Sequence, residues 1–222
     1  MPDESLIPKH GGYRKLKSFR IAQLVYDLTV RFCDQFVDRR GRTRDQMVQA
    51  ARSGVQNIAE GSQLSGTSKK MELKLTNVAR ASLEELRLDY EEFLRQQGLP
   101  QWVPEHPALK RFKSKKCSTL EEVRTWVGDE RRRSIGLTRT DTDKHGNAPE
   151  STSSVPVRVS PPEPFAPEVF VANAALSLLN LCCYFLDQQL RAQAHSFERE
   201  GGFTERLYRH RHRNRNKGKS AT

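Results

Sequence analysis

The chain has 222 residues, of which 36% are hydrophobic and 29% charged, and its formal net charge is +11. This composition indicates a polar globular protein with basic extensions, and it excludes a protein that lies mostly within a membrane. The charge excess is uneven, because seven Arg and Lys residues and no Asp or Glu lie from Arg206 to Thr222. Such a block is expected to stay solvated and mobile unless a polyanion orders it.

The cysteines show no CxxC spacing, and the six histidines do not accompany them. Three of them, Cys33, Cys182 and Cys183, lie in apolar runs where a reduced thiol acts as a small hydrophobe. Neither a disulfide scaffold nor a zinc site is therefore expected, and the sequence predicts no metal and no cofactor. The N-terminal residues lack an apolar stretch long enough for a signal peptide, so we expect a cytoplasmic protein.

Apolar periodicity predicts a first helix over residues 18–37 and a second over 44–61. The break between them falls at Gly41, and Thr43 with Gln46 has the spacing of a capping box. A third helix is predicted over 69–97, where Gly98 and Pro100 end it. Its predicted core-facing residues are Met71, Leu75, Val78, Ala79, Ser82, Leu86, Tyr90 and Phe93.

Three polar residues of the second helix, Ser53, Asn57 and Glu60, are the candidates for a catalytic site. Glu60 as a general base would need a pocket that shifts its pKa, but its predicted neighbours are the polar residues of a solvated face. No Ser-His-Asp set, GxSxG, HExxH or glycine-rich phosphate loop occurs. We therefore predict no catalytic residue. The residues predicted to pack against a neighbouring helix or another copy of the chain are Ala50, Gly54, Asn57 and Gly61.

The connecting segment 101–133 is predicted to contain a short helix in CSTLEEVRTWV, capped by Ser118 and Glu121. Residues 134–166 are rich in Ser, Thr and Pro and are predicted to be a flexible linker. The next segment, 167–200, is uncharged from Val169 to Leu186 and near the lower length limit for a membrane span.

Two periodic sets of residues favour a core helix over a membrane span in segment 167–200. A polar edge is predicted at Asn173, Ser177, Asn180 and Asp187. A packing seam is predicted at Ala172, Leu176, Leu179, Cys183, Leu186 and Leu190.

The predicted fold is all-α. It is an up-and-down antiparallel four-helix bundle with a long flexible insertion before the last helix and a basic C-terminal tail. The predicted divisions are an N-terminal extension (1–16), three bundle helices (17–100), the connecting segment (101–133), the linker (134–166), the fourth bundle helix (167–200) and the basic tail (201–222).

Basic residues carry the functional prediction. The tail ERLYRHRHRNRNKGK spaces arginines among His, Asn and Tyr, which suits phosphate contact and base stacking. A second basic group lies in the first loop. The alternative is that these charges only aid solubility. The predicted nucleic-acid-binding residues are Arg39, Arg40, Arg42, Arg44, Arg206, Arg209, Arg211, Arg213, Arg215, Lys217 and Lys219.

Four strings resemble segments of one family: GGYRKLKSFRIAQLVYDLTVRFC, RTRDQMVQAARSGVQNIAEGS, TSKKMELKLTNVARASLEELRLDYEEFLR and EGGFTERLYRHR. The family is that of bacterial four-helix-bundle proteins related to ribosomal-RNA intervening-sequence proteins, in the subset with a C-terminal suffix region. The resemblance covers residues 11–102 and 168–212, whereas 134–166 looks like a variable insertion.

The resemblance implies an up-and-down four-helix bundle and no established catalytic residues. A distant member, the accessory variability determinant of diversity-generating retroelements, is a ring-forming homopentamer that binds nucleic acid and a reverse transcriptase. The resemblance therefore implies a homo-oligomer, a pentamer by analogy, with RNA or DNA as a partner. The sequence thus predicts a non-enzymatic nucleic-acid-binding bundle. The alternatives are an adaptor that docks an enzyme such as a reverse transcriptase and, third, an enzyme.

Overall fold

The computed structural model describes residues 6–39, 41–142 and 166–219, and every regular element in these ranges is helical. The predicted all-α class is therefore confirmed. One turn of 3-10 helix, Tyr13–Lys15, precedes the first long helix. The helices are α1 (Lys17–Phe36), α2 (Arg42–Leu64), α3 (Lys69–Gln96), α4 (Pro107–Lys115), α5 (Leu120–Thr142), α6 (Pro167–Glu200) and α7 (Phe203–Lys219).

Four long helices enclose the core. Both α1 and α3 pack against α2 and also against α6. The end of α1 lies beside the beginning of α2, where the sulfur atoms of Cys33 and Met47 are 3.8 Å apart. The beginning of α3 lies beside the end of α6, where Lys69 Nζ donates to Ser196 Oγ at 2.7 Å. The largest fully buried side chains between them include Tyr90, Phe32, Met47, Ile58, Leu83 and Leu179.

Hydrogen bonds between polar side chains set the register of these helices. Tyr90, on α3, donates through its hydroxyl to Thr29 Oγ1 at 3.1 Å, and Thr29 donates to the Val25 carbonyl at 2.7 Å. On α6, Asp187 accepts from the guanidinium of Arg80. Since buried polar groups are costly without partners, the buried Tyr90–Thr29 pair favours one alignment of the core over sliding alternatives.

Segment 101–133 holds two helices, where one short helix was predicted in CSTLEEVRTWV. The first, α4, begins at Pro107, a residue suited to the first helical position because it lacks an N–H. The second, α5, continues to Thr142 and so includes the first residues of the predicted linker. Its capping box is one residue later than predicted, because Thr119 and Glu122 exchange the two bonds (3.3 and 3.2 Å). Linker residues 143–165 lie outside the described residues.

Two details of α2 and α3 differ from prediction. The first turn of α2 already includes Arg42 after Gly41, which lacks a capping side chain, so the predicted capping box at Thr43 and Gln46 is wrong. The predicted core face of α3 is rotated. Met71 and Val78 are exposed, whereas the buried residues of this helix are Thr76, Ala79, Leu83, Leu86, Tyr90 and Leu94. Packing against both α2 and α6 turns the helix so that these residues face the core.

The helix α6 is long and apolar enough to cross a membrane by length and composition, but 67% of its most apolar 18-residue stretch is buried within the protein. That burial favours the predicted core helix. The predicted polar edge is wrong at Asn173, which is 2% exposed. The Asn173 amide donates to the carbonyls of Pro100 (3.0 Å) and Val169 (2.8 Å), and its oxygen accepts from the Trp102 N–H (2.7 Å). This side chain therefore holds the segment that follows α3 against the start of α6.

Candidate nucleic-acid interface

The basic C-terminal segment, predicted to stay solvated and mobile, is helical as α7. A glycine separates it from α6, since Gly201 has φ +70° and ψ −172°, a backbone conformation that only glycine adopts readily. The following N–H, of Gly202, donates to Glu205 Oε2 at 2.9 Å in the first turn of α7. After Glu205 the sequence contains no further acidic residue, so α7 cannot neutralise its own arginines.

The arginines of α7 differ in exposure. Arg206 is half-buried, and the Arg209 guanidinium donates to the carbonyls of Glu200 and Glu205 at the junction with α6. Lys217 and Lys219 lie in the helix, but their side chains are outside the described residues. The exposed arginines are Arg209, Arg211, Arg213 and Arg215.

An aromatic pair lies on the exposed side of α7. Tyr208, which is 70% exposed, stacks on His212 with a ring-centroid distance of 6.3 Å. At 100° per residue these rings share one side of the helix with Arg211 and Arg215. Sequence analysis gave these rings no individual role. Their four-residue spacing beside two arginines was the available indication, and it suits stacking on unpaired bases.

The first-loop arginines are less available than predicted. Arg39 and Arg42 are exposed, and Arg40 lies outside the described residues. Arg44 is paired, because its guanidinium donates to Asp34 Oδ1 at 2.8 Å and to Asp45 Oδ1 at 3.3 Å. The hydrogen bond from Arg44 holds the pKa of the Asp34 carboxyl below its usual range. A phosphate would have to displace these carboxylates to contact Arg44.

The structure does not bring the two basic groups together. The first loop lies at the end of the molecule where α3 ends, because the rings of Phe32 and Phe93 pack edge-to-face there, with their centroids 4.8 Å apart. By contrast, α7 begins where α6 ends, beside the start of α3. The 34 residues of α6 correspond to about 50 Å. One phosphate cluster therefore cannot contact both groups.

The predicted binding residues do not include the cations that share an end with α7. The Gly11 N–H donates to the Ser62 carbonyl at 2.9 Å, which holds the N-terminal segment against the end of α2. This places further exposed basic side chains on the same end of the molecule. The string KHGGYRKLK was the available indication. The exposed residues are Lys9, Arg14, Lys15 and Lys70.

The strip of small residues on α2 packs within the chain. A Cβ atom on Gly54 would lie 2.6 Å from Leu83 Cδ2, and one on Gly61 would lie 3.3 Å from the Glu72 carbonyl oxygen. Ala50 is also buried. Of the two predicted alternatives, the structure therefore shows the neighbouring helix, α3, at this surface.

The three polar candidates on α2 do not form one cluster. Asn57 Nδ2 donates to the Ser53 carbonyl at 2.8 Å and lies 3.0 Å from Ser53 Oγ. Ser53 Oγ lies 3.0 Å from Ser82 Oγ of α3, so Ser53 is half-buried. The prediction that Ser53 lies on the outward face of α2 is therefore wrong. Glu60 is exposed and takes no part in this network. The bonds tie α2 to α3.

The cysteines are free, and their thiols are packed. Burial raises the pKa of the Cys33 thiol to about 12 and also raises that of Cys182. Within the described ranges, no group of three or more His, Cys, Asp or Glu side chains is placed to hold a metal ion.

The geometry thus provides two pairs of exposed guanidinium groups for phosphate oxygens. Arg211 and Arg215 lie beside the two rings that suit base stacking, and Arg209 and Arg213 lie on the opposite side of α7, with a basic end around them. In comparisons with known proteins, no family model, no curated protein and no solved structure matches the chain.

Proposed function

We propose that this chain is a non-enzymatic, cytoplasmic protein that binds RNA or DNA mainly through phosphate contacts made by α7. The observation that carries the proposal is the set of four exposed arginines on a helix without acidic residues beyond Glu205. Arginine contacts to phosphate supply most of the sequence-independent affinity for nucleic acid. Tyr208 and His212 add a stacking surface that favours unpaired bases.

The architecture we propose is the up-and-down antiparallel four-helix bundle of the family that the sequence resembles. Contacts between opposite ends of neighbouring helices support it. Ser18, at the start of α1, donates to Gln189 Oε1 near the end of α6 at 3.0 Å. Asn173, at the start of α6, binds the chain just after α3. In this arrangement α7 extends the fourth bundle helix beyond the core.

Replacement of Arg209, Arg211, Arg213 and Arg215 by glutamine in the full chain tests how much these four exposed arginines contribute to binding. If all seven cations from Arg206 onward engaged B-DNA, the slope of log affinity against log salt would be about −6. Removing four should reduce its magnitude by about 3 to 4 and weaken binding at low salt. Fluorescence anisotropy with labelled single-stranded and duplex oligonucleotides measures both quantities.

The matched control replaces Arg39 and Arg42 by glutamine at the other end of the molecule. This variant should retain the affinity and most of the slope, because its charges do not share a surface with α7. A chain ending at Gly202 serves as a second comparison. Unchanged affinity and slope in that chain would overturn the role of α7.

We also propose self-association into a homo-oligomer, with the pentamer of the ring-forming relative as the analogy. Size-exclusion chromatography with light scattering, run with and without nuclease, measures the number of copies and any co-purifying nucleic acid. A monomer at every concentration would contradict self-association. A protein captured from lysate after nuclease treatment would instead favour the adaptor function.

A further inference from the structure

An apolar groove of about 910 Å³ runs along the outer side of α6, and nucleic-acid binding gives it no role. Its floor includes Leu181 and Tyr184, which are 44% and 56% exposed. Leu109 and Phe112 of α4 and Ile21 of α1 line its sides. From Asn173 to Phe185 the groove follows about 18 Å of helix. Exposed apolar surface grouped in this way marks a binding surface.

Three lysines, Lys17, Lys113 and Lys116, line the same groove. Lys17 Nζ lies 5.4 Å from the centre of the Phe185 ring, so this charge sits directly beside the apolar floor. Lys113 Nζ donates to the Pro104 carbonyl at 3.0 Å, which leaves its charge in place. Within residues 6–39, 41–142 and 166–219, none of the three forms an ion pair with a carboxylate.

The acidic residue on this groove does not offset the lysines. Glu91 is bound to Arg87, with the guanidinium nitrogen 2.6 Å from Glu91 Oε1. The groove therefore combines an apolar floor with a positive margin. A complementary surface has apolar side chains flanked by carboxylates, over about three turns of helix.

Part of the outer side of α3, after the exposed Lys70 and Lys74, is such a surface. At 100° per residue, Val78, Ala81, Glu85, Leu88 and Glu92 lie within about 80° of one another. We call these five residues the α3 stripe. All but Glu92 are exposed, with Leu88 at 53% and Val78 at 38%. The stripe spans about 21 Å from its first to its last residue.

Carboxylates surround the apolar centre of the α3 stripe. Leu88 has Glu85 three residues before it and Glu92 four residues after it, on the same side of the helix. Glu92 is bound to Arg95, whereas Glu85 is exposed and has no ion-pair partner in the ranges that the structure covers. Glu85 is therefore available to a lysine of another molecule.

We propose that the groove on α6 binds the α3 stripe of a second copy of this chain. Apolar contact between Leu88 and the floor at Leu181 and Tyr184 supplies the attraction, and the groove lysines meet Glu85 of the stripe. Because the two surfaces differ, the contact is head-to-tail. Each added copy leaves one groove and one stripe open unless the series closes into a ring. This inference rests on the proposed self-association and names its interface.

Two substitutions at exposed positions disable the two surfaces separately. Leu181→Glu places a carboxylate in the groove opposite the acidic stripe, and Leu88→Lys places a cation on the stripe opposite the lysines. Both new residues favour helix, so folding should persist. Circular dichroism checks it. The controls are Met71→Lys, on α3 outside the stripe, and Gln188→Glu, on α6 outside the groove.

Light scattering after size-exclusion chromatography is the measurement. Each of the two variants alone should have the 25.5 kDa mass of one chain, and both controls should retain the wild-type mass. An equimolar mixture should form a species of at least twice that mass, because Leu88→Lys keeps its groove and Leu181→Glu keeps its stripe. Such recovery supports the proposal and shows that both variants fold.

Three outcomes would overturn the inference. If wild type associates and both variants keep its mass, self-association stands and this interface does not. If the variants are monomeric and their mixture stays monomeric, the contact is not head-to-tail between groove and stripe. If wild type is a monomer throughout, self-association fails as well.

Discussion

Gly54 and Leu83 meet so closely across the α2–α3 interface that any side chain at position 54 would overlap Leu83. A Cβ there would lie 2.6 Å from Leu83 Cδ2, and Leu83 is fully buried and cannot move aside. Gly54→Ala gains about 1 kcal/mol of helix propensity but overpacks the core by about 2 to 3 kcal/mol. We expect a net loss of about 1–2 kcal/mol in the free energy of unfolding, measured by urea denaturation.

A double substitution separates this overlap from other causes. Leu83→Ala alone should cost about 2–5 kcal/mol through the cavity that it leaves. The added methyl at position 54 partly fills that cavity, so the combined loss should be smaller than the sum of the single losses. Additive losses would show that the contact is not the source of the effect.

Asn173→Ala should destabilise the protein by about 2 kcal/mol. It removes three hydrogen bonds at a buried site and leaves the Trp102 N–H without its acceptor. Thermal or urea denaturation provides the measurement. Asn180→Ala, at an exposed position on the same helix, is the control and should change stability by less than about 0.5 kcal/mol. Equal effects of the two substitutions would contradict the role given to Asn173.

Arg111 holds the buried carboxylate of Glu130 with bonds of 2.7 and 2.6 Å from Nε and one terminal nitrogen. Arg111→Ala should cost about 2–4 kcal/mol, because Glu130 is 3% exposed and loses its counter-charge. The control is Arg124→Ala, which breaks an exposed pair with Glu121 and should cost less than about 1 kcal/mol. The free energies of unfolding of both variants provide the measurement. Equal losses of stability in the two would contradict a buried ion pair between Arg111 and Glu130.

His106 should make the protein less stable in mild acid. Its ring stacks on Trp102 at 4.3 Å, and burial, with Arg111 nearby, lowers the pKa of this histidine. The folded state then binds fewer protons than the unfolded state below pH about 6.5, so stability falls as the pH decreases through that range. His106→Phe keeps a ring on Trp102 and removes the titration.

The measurement is the free energy of unfolding at pH 7.5 and 5.5. The loss between the two should be smaller in His106→Phe than in wild type. His195→Phe, at an exposed position of α6, should leave the loss unchanged. The same loss in all three proteins would mean that other groups cause the pH dependence.

Periodicity was sufficient to predict α1, α2, α3 and α6, because each has an apolar side that repeats over five or more turns. It could not predict α4, which has nine residues and only three buried side chains, Ala108, Leu109 and Phe112. Nor could it predict the burial of Asn173. That depends on the segment after α3 returning to cover α6, a tertiary contact that local pattern does not contain.

Composition was sufficient to predict which basic residues form the candidate site, but the structure was needed to show how they are arranged. The arginines of α7 were identified from their density, but their helical arrangement and the stacking of Tyr208 on His212 were not. The pairing of Arg44 with Asp34 also depends on how α1 meets α2. The groove was missed because Leu181 and Tyr184 lie in an apolar run, where exposed and buried residues have the same composition.

Gly201, between α6 and α7, controls the direction in which α7 leaves the bundle. With 17 residues, α7 is about 25 Å long, so a change of 30° at Gly201 would move its far end by about 13 Å. Its φ of +70° is disfavoured for any residue with a side chain, and an added Cβ would lie 3.1 Å from Glu205. The position of the α7 arginines relative to the rest of the molecule therefore depends on the torsion angles of Gly201 and on the bond from Arg209 to the Glu200 carbonyl.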